Sequence, residues 1–190
     1  HGLPLIVDST VATPALLRPL AHGADIVVHS VSKSMAASGF TIAGALIARH
    51  HIPSPVGPDM LRENFALYVK LLPFRDHGPA LSPFNALMAL NDLRTLRPRM
   101  DRMSDNSLKV AQFLAGHPAV ASVNYPGLPG TTYYEVASRY LWLADAEDEY
   151  GAPVDRYGHL LSFCVAGGAG DPDGIAATRR AFDRLTMIWR

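Results

Sequence analysis

Apolar residues fall in short blocks along this chain, and each block has a strand or helix length. LPLIVD (3–8) is a β-branched run ending in a carboxylate, which predicts a buried strand with Asp8 at its C-terminal end. STVATP follows, Pro14 opens a short helical stretch to about Leu20, and Gly23 stops it. DIVVH (25–29) predicts a second buried strand. A strand, a short helix and a strand in succession imply parallel neighbours, and parallel sheets gather functional groups at the carboxyl ends of their strands. Asp8, Ser30, Ser32 and Lys33 all fall there. TIAGALIA (41–48) predicts a third strand, with Gly39 and Gly44 allowing a turn and close packing.

Proline and glycine punctuate 53–58, and LRENFALYVKLL (61–72) predicts a helix. From 82 to 117 apolar residues recur at helical spacing, at Leu87, Leu90 and Leu93 and again at Leu108, Val110, Ala111 and Leu114. Pro98 is expected to interrupt or kink this stretch. Beyond it, VASVNY (120–125), a YPGLPG turn, a helix from about Thr131, the strand LLSFCVA (160–166) and a helix near 172–184 give a β-α-β-α order. The long helical stretch is expected to link two domains, residues 1–85 and 86–190. The acidic DAEDEYGAPVDRYG (145–158) reads as an exposed connection. Arg75, Asp76 and His77 read as a polar loop between helices, and Tyr133 and Tyr134 as packing or contact residues. No internal repeat is present.

Composition narrows the function. At 190 residues and 48% hydrophobic, the chain can bury one core and part of a second. Its 17 basic and 17 acidic side chains cancel without any run of like charge, so neither a nucleic acid nor a membrane surface is indicated as partner. Small-molecule chemistry fits better. No apolar stretch has the length of a membrane span, and the single cysteine, Cys164, excludes an internal disulfide and reads as a small core residue. The expected compartment is the cytoplasm. His50 and His51 are adjacent, and His22, His77, His117 and His159 are scattered among turns, so no metal site is expected. The chain begins at His1 inside an apolar run and ends at TMIWR without a closing turn, which suggests a segment of a longer protein.

HSVSKSMAASGF (29–40) carries the candidate chemistry. An ordinary lysine amine, with a pKa of about 10.4, is protonated near neutrality and nucleophilic only where its surroundings change that. Imine formation with an aldehyde cofactor removes the difficulty. Pyridoxal phosphate then needs a carboxylate at its ring nitrogen, donors for its phosphate, and packing over the ring. Asp8 can supply the first, and Ser30 and Ser32 the second; nothing evident supplies the third. Taken singly, Lys33 could be a solvated charge, Asp8 a helix cap and the serines turn residues. Together they make a more specific arrangement, which leaves a lysine-imine site, a phosphate-binding loop and a structural loop all open.

IVDSTVATPALLRPLAHGADIVVHSVSKSMAASGF (6–40) resembles the core of the Cys/Met-metabolism enzymes that use pyridoxal phosphate. Their pattern is roughly V-D-N-T-x-x-T-P, then H-G-A-D, then H-S-x-[ST]-K before a glycine-rich turn. The likeness continues through 81–114 and VNYPGL. Within the family, SPFNA and YPGLPGTTYY look most like O-acetylhomoserine sulfhydrylases. The chain departs from the pattern at Ser9, where asparagine is usual, and at Ala37 and Ser38, where a Gly-His pair is common.

The resemblance implies that Lys33 carries pyridoxal 5'-phosphate and shuttles protons, that Asp8 pairs with the pyridine nitrogen, and that Ser30 and Ser32 contact the phosphate. It implies a type I, aminotransferase-like α/β fold: a mainly parallel sheet with helices on both faces, then a truncated smaller C-terminal α/β domain. It also implies a homotetramer built as a dimer of dimers. For the parent protein the implied reaction on its amino-acid substrate is γ-replacement on O-acetylhomoserine by sulfide or a thiol. Cystathionine γ-synthesis, methionine or cystathionine γ-cleavage, or a non-catalytic remnant are the alternatives. The upstream phosphate loop and ring-stacking tyrosine, the residues lent by a neighbouring subunit, and the downstream arginine for the substrate carboxylate are expected outside these residues. The isolated chain is accordingly expected to be inactive.

Overall fold

A computed structural model describes residues 2–168 and 170–185; the terminal TMIWR lies outside them. Strand β1 (Ile6–Asp8) pairs in parallel with β2 (Ile26–Ser30), with Asp8 opposite Val28. The crossover between them consists of helix α1 (Thr13–Leu16) and a single 3₁₀ turn, Pro19–His22. The predicted helix to Leu20 therefore breaks at Leu17, whose backbone is extended, and Pro19 keeps Arg18 before it out of the helical region as well. Gly23 then stops the turn with a left-handed φ of 97°, which suits glycine.

Strand β3 (Gly44–Ala48) runs antiparallel to β2, so one of the two pairings in this sheet is parallel and one is not. The connection holds a single irregular turn, Val31–Met35, and no crossover helix, and such a link returns the chain antiparallel. Against the burial expected for β1, Leu5 and Ile6 are more than half exposed, because among the described residues β1 pairs with β2 alone. Ile26 and Val27 of the central β2 are buried as the pattern predicts.

The helix predicted over 61–72 is two short helices instead, α2 (Asp59–Glu63) and α3 (Phe65–Leu71), and a third, α4 (Pro73–His77), follows them. Asn64 breaks the first pair by capping α3, its side chain accepting from the Leu67 amide. Pro73 starts α4, so Arg75, Asp76 and His77 are helical rather than a loop, with Gly78 as the left-handed cap.

The long helical stretch divides into α5 (Pro83–Leu93) and α6 (Leu96–Ala115). The break precedes Pro98, which sits in the first turn of α6, where a missing N–H costs nothing. Helix α5 turns Ala89 and Asp92 inward and leaves the predicted face at Leu87 and Leu90 exposed. Helix α6 is the spine of the chain. Its start, at Leu96 and Met100, packs with Leu16, Val31, Met35 and Leu143. Its far half places Ala111 against Tyr125 and Leu128.

After α6 come β4 (Val120–Asn124), α7 (Tyr134–Tyr140), β5 (Trp142–Glu147), β6 (Pro153–Asp155), β7 (Ser162–Val165) and α8 (Ile175–Asp183). β4 pairs with β7, and β5 with β6, both antiparallel. The connection expected to be exposed over 145–158 thus contains part of a hairpin, whose acidic tip is folded by Asp148 accepting from the amides of Tyr150 and Ala152. A positive φ of 56° at Asp145 bulges β5 and hides its periodicity. Cys164 is exposed rather than part of the core, because among the described residues β7 pairs with β4 alone and its Ser162, Phe163 and Cys164 are all open. Tyr133 is exposed, and Tyr134 lies 5.9 Å from the Tyr157 ring.

A polar knot joins α6 to the loop ahead of β7. The Ser104 hydroxyl accepts from the Gly158 amide at 2.7 Å, and the Tyr125 hydroxyl donates to the Gly158 carbonyl at 2.8 Å. Both side chains are essentially fully buried. Ser104→Ala strands the Gly158 N–H and is expected to cost about 1–3 kcal/mol in urea denaturation, whereas Tyr125→Phe, which leaves the Gly158 carbonyl its bond from Ser104, is expected to cost about 1 kcal/mol. Equal losses in the two variants would contradict this ranking.

Candidate active site

The parallel pairing delivers two strand ends side by side. At the end of β1 the Asp8 carboxylate accepts from the Thr10 amide at 2.9 Å. The Thr10 hydroxyl accepts from the Ser30 amide at 2.8 Å, which ties the end of β2 to the same corner. Thr10, through its hydroxyl and then its amide, and more weakly the ring of His29, hold the Asp8 carboxyl below the usual carboxylate range against a small opposing effect of burial. Asp8 is exposed and ionised at neutral pH. Ser30 is half-buried, and its hydroxyl makes no hydrogen bond among the described residues.

Lys33 sits three residues beyond Ser30, in the wide turn Val31–Met35. Val31 and Met35 anchor the turn in the core, and the Lys33 side chain between them is exposed. Its backbone (φ −95°, ψ −130°) leaves the helical region and breaks the turn's ladder. Ser32 is committed elsewhere: its hydroxyl accepts from the Ala43 amide at 2.9 Å and donates to the Ala43 carbonyl at 3.2 Å, stitching the turn to the approach to β3. The structure therefore gathers Asp8, Ser30 and the Lys33 turn at one edge of the sheet, and gives Ser32 a backbone partner already.

A cavity of about 300 Å³ opens beside Asp8, walled by Ser9, Leu16, Pro126, Tyr157 and His159. Two atoms on its lining residues, Ser9 Oγ and His159 Nδ1, are buried without hydrogen-bond partners. The other ring nitrogen of His159 lies 3.4 Å from the Ser34 hydroxyl, so one wall residue of the cavity is bonded to the residue after Lys33. No three His, Cys, Asp or Glu side chains converge among the described residues, and no described helix is long and apolar enough to cross a membrane.

The sequence reading missed Thr10, His29 and His159. Thr10 stands in the quoted pattern, but its role emerges only when the register sets it against Ser30. His29 Nδ1 donates to the Ser9 carbonyl at 3.1 Å from a buried position on β2, a pairing that spans 20 residues and leaves no local signal.

Residues 1–145 match the family described as Cys/Met metabolism PLP-dependent enzyme. O-acetyl-L-homoserine sulfhydrylase of Leptospira meyeri is 38% identical over 165 residues, covering 73% of this chain and 37% of that protein. Cystathionine gamma-synthase of Mycobacterium leprae is 38% identical over 141 residues, covering 74% of the chain and 33% of that protein. The chain thus spans about a third of the length of these relatives. Among solved structures, one assigned as an O-acetylhomoserine (thiol)-lyase of Campylobacter jejuni, holding N'-pyridoxyl-lysine-5'-monophosphate, superposes with a TM-score of 0.78 at 31% identity. That likeness covers 100% of this chain and 47% of the other.

Burial lowers the pKa of both His29 and His159 from the ordinary 6.5. The unfolded chain then binds more protons than the folded one just below that value, so this contribution to stability is complete above about pH 6.5 and is lost as pH falls toward the folded-state pKa. The melting temperature is expected to fall between pH 7 and pH 5, ahead of the carboxylate range. His29→Asn, which keeps a donor for the Ser9 carbonyl, is expected to flatten that fall. An unchanged slope in both His29→Asn and His159→Gln would contradict the assignment.

Proposed function

The chain belongs to the Cys/Met metabolism PLP-dependent enzyme family, and we propose that it is the cofactor-carrying part of a longer enzyme that performs γ-replacement on O-acetylhomoserine. Its fold is the α/β type I arrangement of the solved relatives, seen here in part. The donor set fits pyridoxal phosphate. A carboxylate held ionised suits a protonated ring nitrogen, the Ser30 hydroxyl is available to a phosphate oxygen, and Lys33 is an exposed amine on a turn anchored at both ends. When bound, the cofactor supplies an electron-poor ring that accommodates negative charge from the substrate α-carbon.

The residues of the chain divide the remaining work. Asp8, kept ionised by Thr10, holds the proton on the ring nitrogen and so keeps the ring electron-poor. Ser30 donates to the phosphate; Ser32 contributes there by sharing the donor it gives to Ala43. Lys33 carries the cofactor between turnovers and, once displaced by the substrate amine, moves protons at the substrate α- and β-carbons. Acetate leaves the γ-carbon, and sulfide or a small thiol takes its place, giving homocysteine or methionine. The same reading makes the parent a dimer of dimers, and the largely exposed Phe40 and Ile42 after the Lys33 turn support such an assembly.

The observation that carries the proposal is the 2.8 Å bond from the Ser30 amide to Thr10, which draws the carboxylate and hydroxyl strand ends together ahead of Lys33. The likeness to the sulfhydrylase supports the acceptor. An equal 38% identity to cystathionine gamma-synthase supports a second reading, in which the acceptor thiol is cysteine.

In the full-length parent, Lys33→Ala is expected to lower kcat for acetate release by about 10²–10⁴-fold or more. Asp8→Asn is expected to lower it while leaving cofactor attachment to Lys33. Undiminished turnover in Lys33→Ala would overturn the site, and a parent that forms no replacement product when sulfide is supplied would overturn the reaction.

A further inference from the structure

Lys33 itself is not gripped by the sheet; the turn carrying it is gripped from the α5–α6 corner. Because the turn ends at Met35 and Ala36 is extended, the Ser34 and Met35 carbonyls lack the amide partners that a continuing helix would supply. Arg99, on the first turn of α6, takes that place. Its guanidinium donates to the Ser34 carbonyl at 2.6 Å and to the Met35 carbonyl at 3.3 Å, and is steadied by the Thr95 hydroxyl at 3.0 Å and the Asp92 carbonyl at 3.3 Å. One planar fork spans two successive carbonyls, which a lysine ammonium on its single stem cannot do equally well.

Asp92, at the end of α5, holds the same segment further along. Its carboxylate accepts from both the amide and the hydroxyl of Ser38, at 3.0 and 2.7 Å, while the residue is only 7% exposed. These bonds, Ser38 first and the nearby Arg99 charge after them, hold the Asp92 carboxyl below its usual range. Ser38 is one of the positions at which the sequence departs from its family's pattern, and here it has a partner made for it. On the other side, Ser32 is pinned to Ala43. The segment from Ser32 to Ser38 is thus fixed at both ends and in the middle, with the Lys33 side chain projecting between the fixed points.

We propose that Arg99 and Asp92 are positioning residues that fix the arc swept by the Lys33 amine. The proposal rests on the reading of Lys33 as the cofactor-bearing lysine. A displacement of the order of 1 Å at a reacting group costs about 10²-fold, so a loosened turn should be felt at Lys33 before it is felt in the fold as a whole.

Two measurements on the full-length parent test this, comparing wild type with Arg99→Ala, Arg99→Lys, Asp92→Ala and a control, Asp101→Ala. The control removes the 2.6 Å pair from α6 to Arg156 without touching the turn. The first measurement fixes added pyridoxal phosphate with borohydride and maps the label on Lys33 against the exposed Lys70 and Lys109. The second follows amide hydrogen exchange over residues 31–38 without cofactor. In Arg99→Ala and Asp92→Ala the share of label on Lys33 is expected to drop about ten-fold or more, with faster exchange confined to the turn. Arg99→Lys should recover part of both, and Asp101→Ala should match wild type.

Wild-type labelling and exchange in Arg99→Ala and Asp92→Ala would overturn the proposal. Should Arg99→Ala fail to fold, Arg99→Lys and Asp92→Ala decide it by the same readouts. Absence of label on Lys33 in the wild type would overturn the cofactor reading instead, and the exchange measurement would still decide whether Arg99 and Asp92 hold the turn.

Discussion

The site depends on one short piece of parallel pairing. Only three residues of β1 face β2, with Ile6 against Ile26, Val7 against Val27 and Asp8 against Val28. That register puts Thr10 beside the Ser30 amide, and the Thr10 amide in turn bonds the ionised Asp8 carboxylate, so the ends of β1 and β2 meet at one corner. A slip of one residue would turn every side chain of β1 to the opposite face and separate the two groups. The pairing is held by the buried Ile26 and Val27 of β2 and by the packing of Ala15 and Leu16 from the crossover helix. Burying a side chain such as Leu16 contributes about 1.5–3 kcal/mol, more than any of the exposed ion pairs here can supply.

The same economy explains why a helix distant in sequence matters to the chemistry. Helix α6 packs its first turns under the Lys33 turn through Leu96 and Met100, and from that platform Arg99 reaches the carbonyls of Ser34 and Met35. Farther along, Ser104 binds Gly158 and Ala111 meets Tyr125, so one rigid helix connects the turn to the region that contributes His159 to the cavity beside Asp8. Sheet edge, lysine turn and cavity wall are therefore referenced to a common element.

Much of this was legible in the sequence wherever the signal was local. The β-branched runs gave β1 and β2, Gly23 gave the stop between them, and the grouping of Asp8, Ser30 and Lys33 followed from strand ends alone. The resemblance then supplied a cofactor consistent with those residues. What was not legible depended on contacts across long separations. The Asp92–Ser38 and Arg99–Ser34 bonds join residues 54 and 65 apart, and neither Asp92 nor Arg99 carries a local mark of its role. Exposure has a related cause: Ile6 and Cys164 lie in apolar patterns, but among the described residues the strands that bear them have one paired neighbour each. The break before Pro98 was placed late because periodicity shows that a helix exists more clearly than where it starts.

The central claim is that Asp8, Ser30 and Lys33 surround one pyridoxal phosphate. A crystal structure of the full-length protein grown with that cofactor tests it most directly. The account predicts continuous density from Lys33 Nζ to the cofactor, the Asp8 carboxylate at hydrogen-bond distance from the ring nitrogen, and the Ser30 hydroxyl on a phosphate oxygen. Cofactor density joined to another lysine, or lying away from Asp8 with Lys33 unmodified, would contradict it.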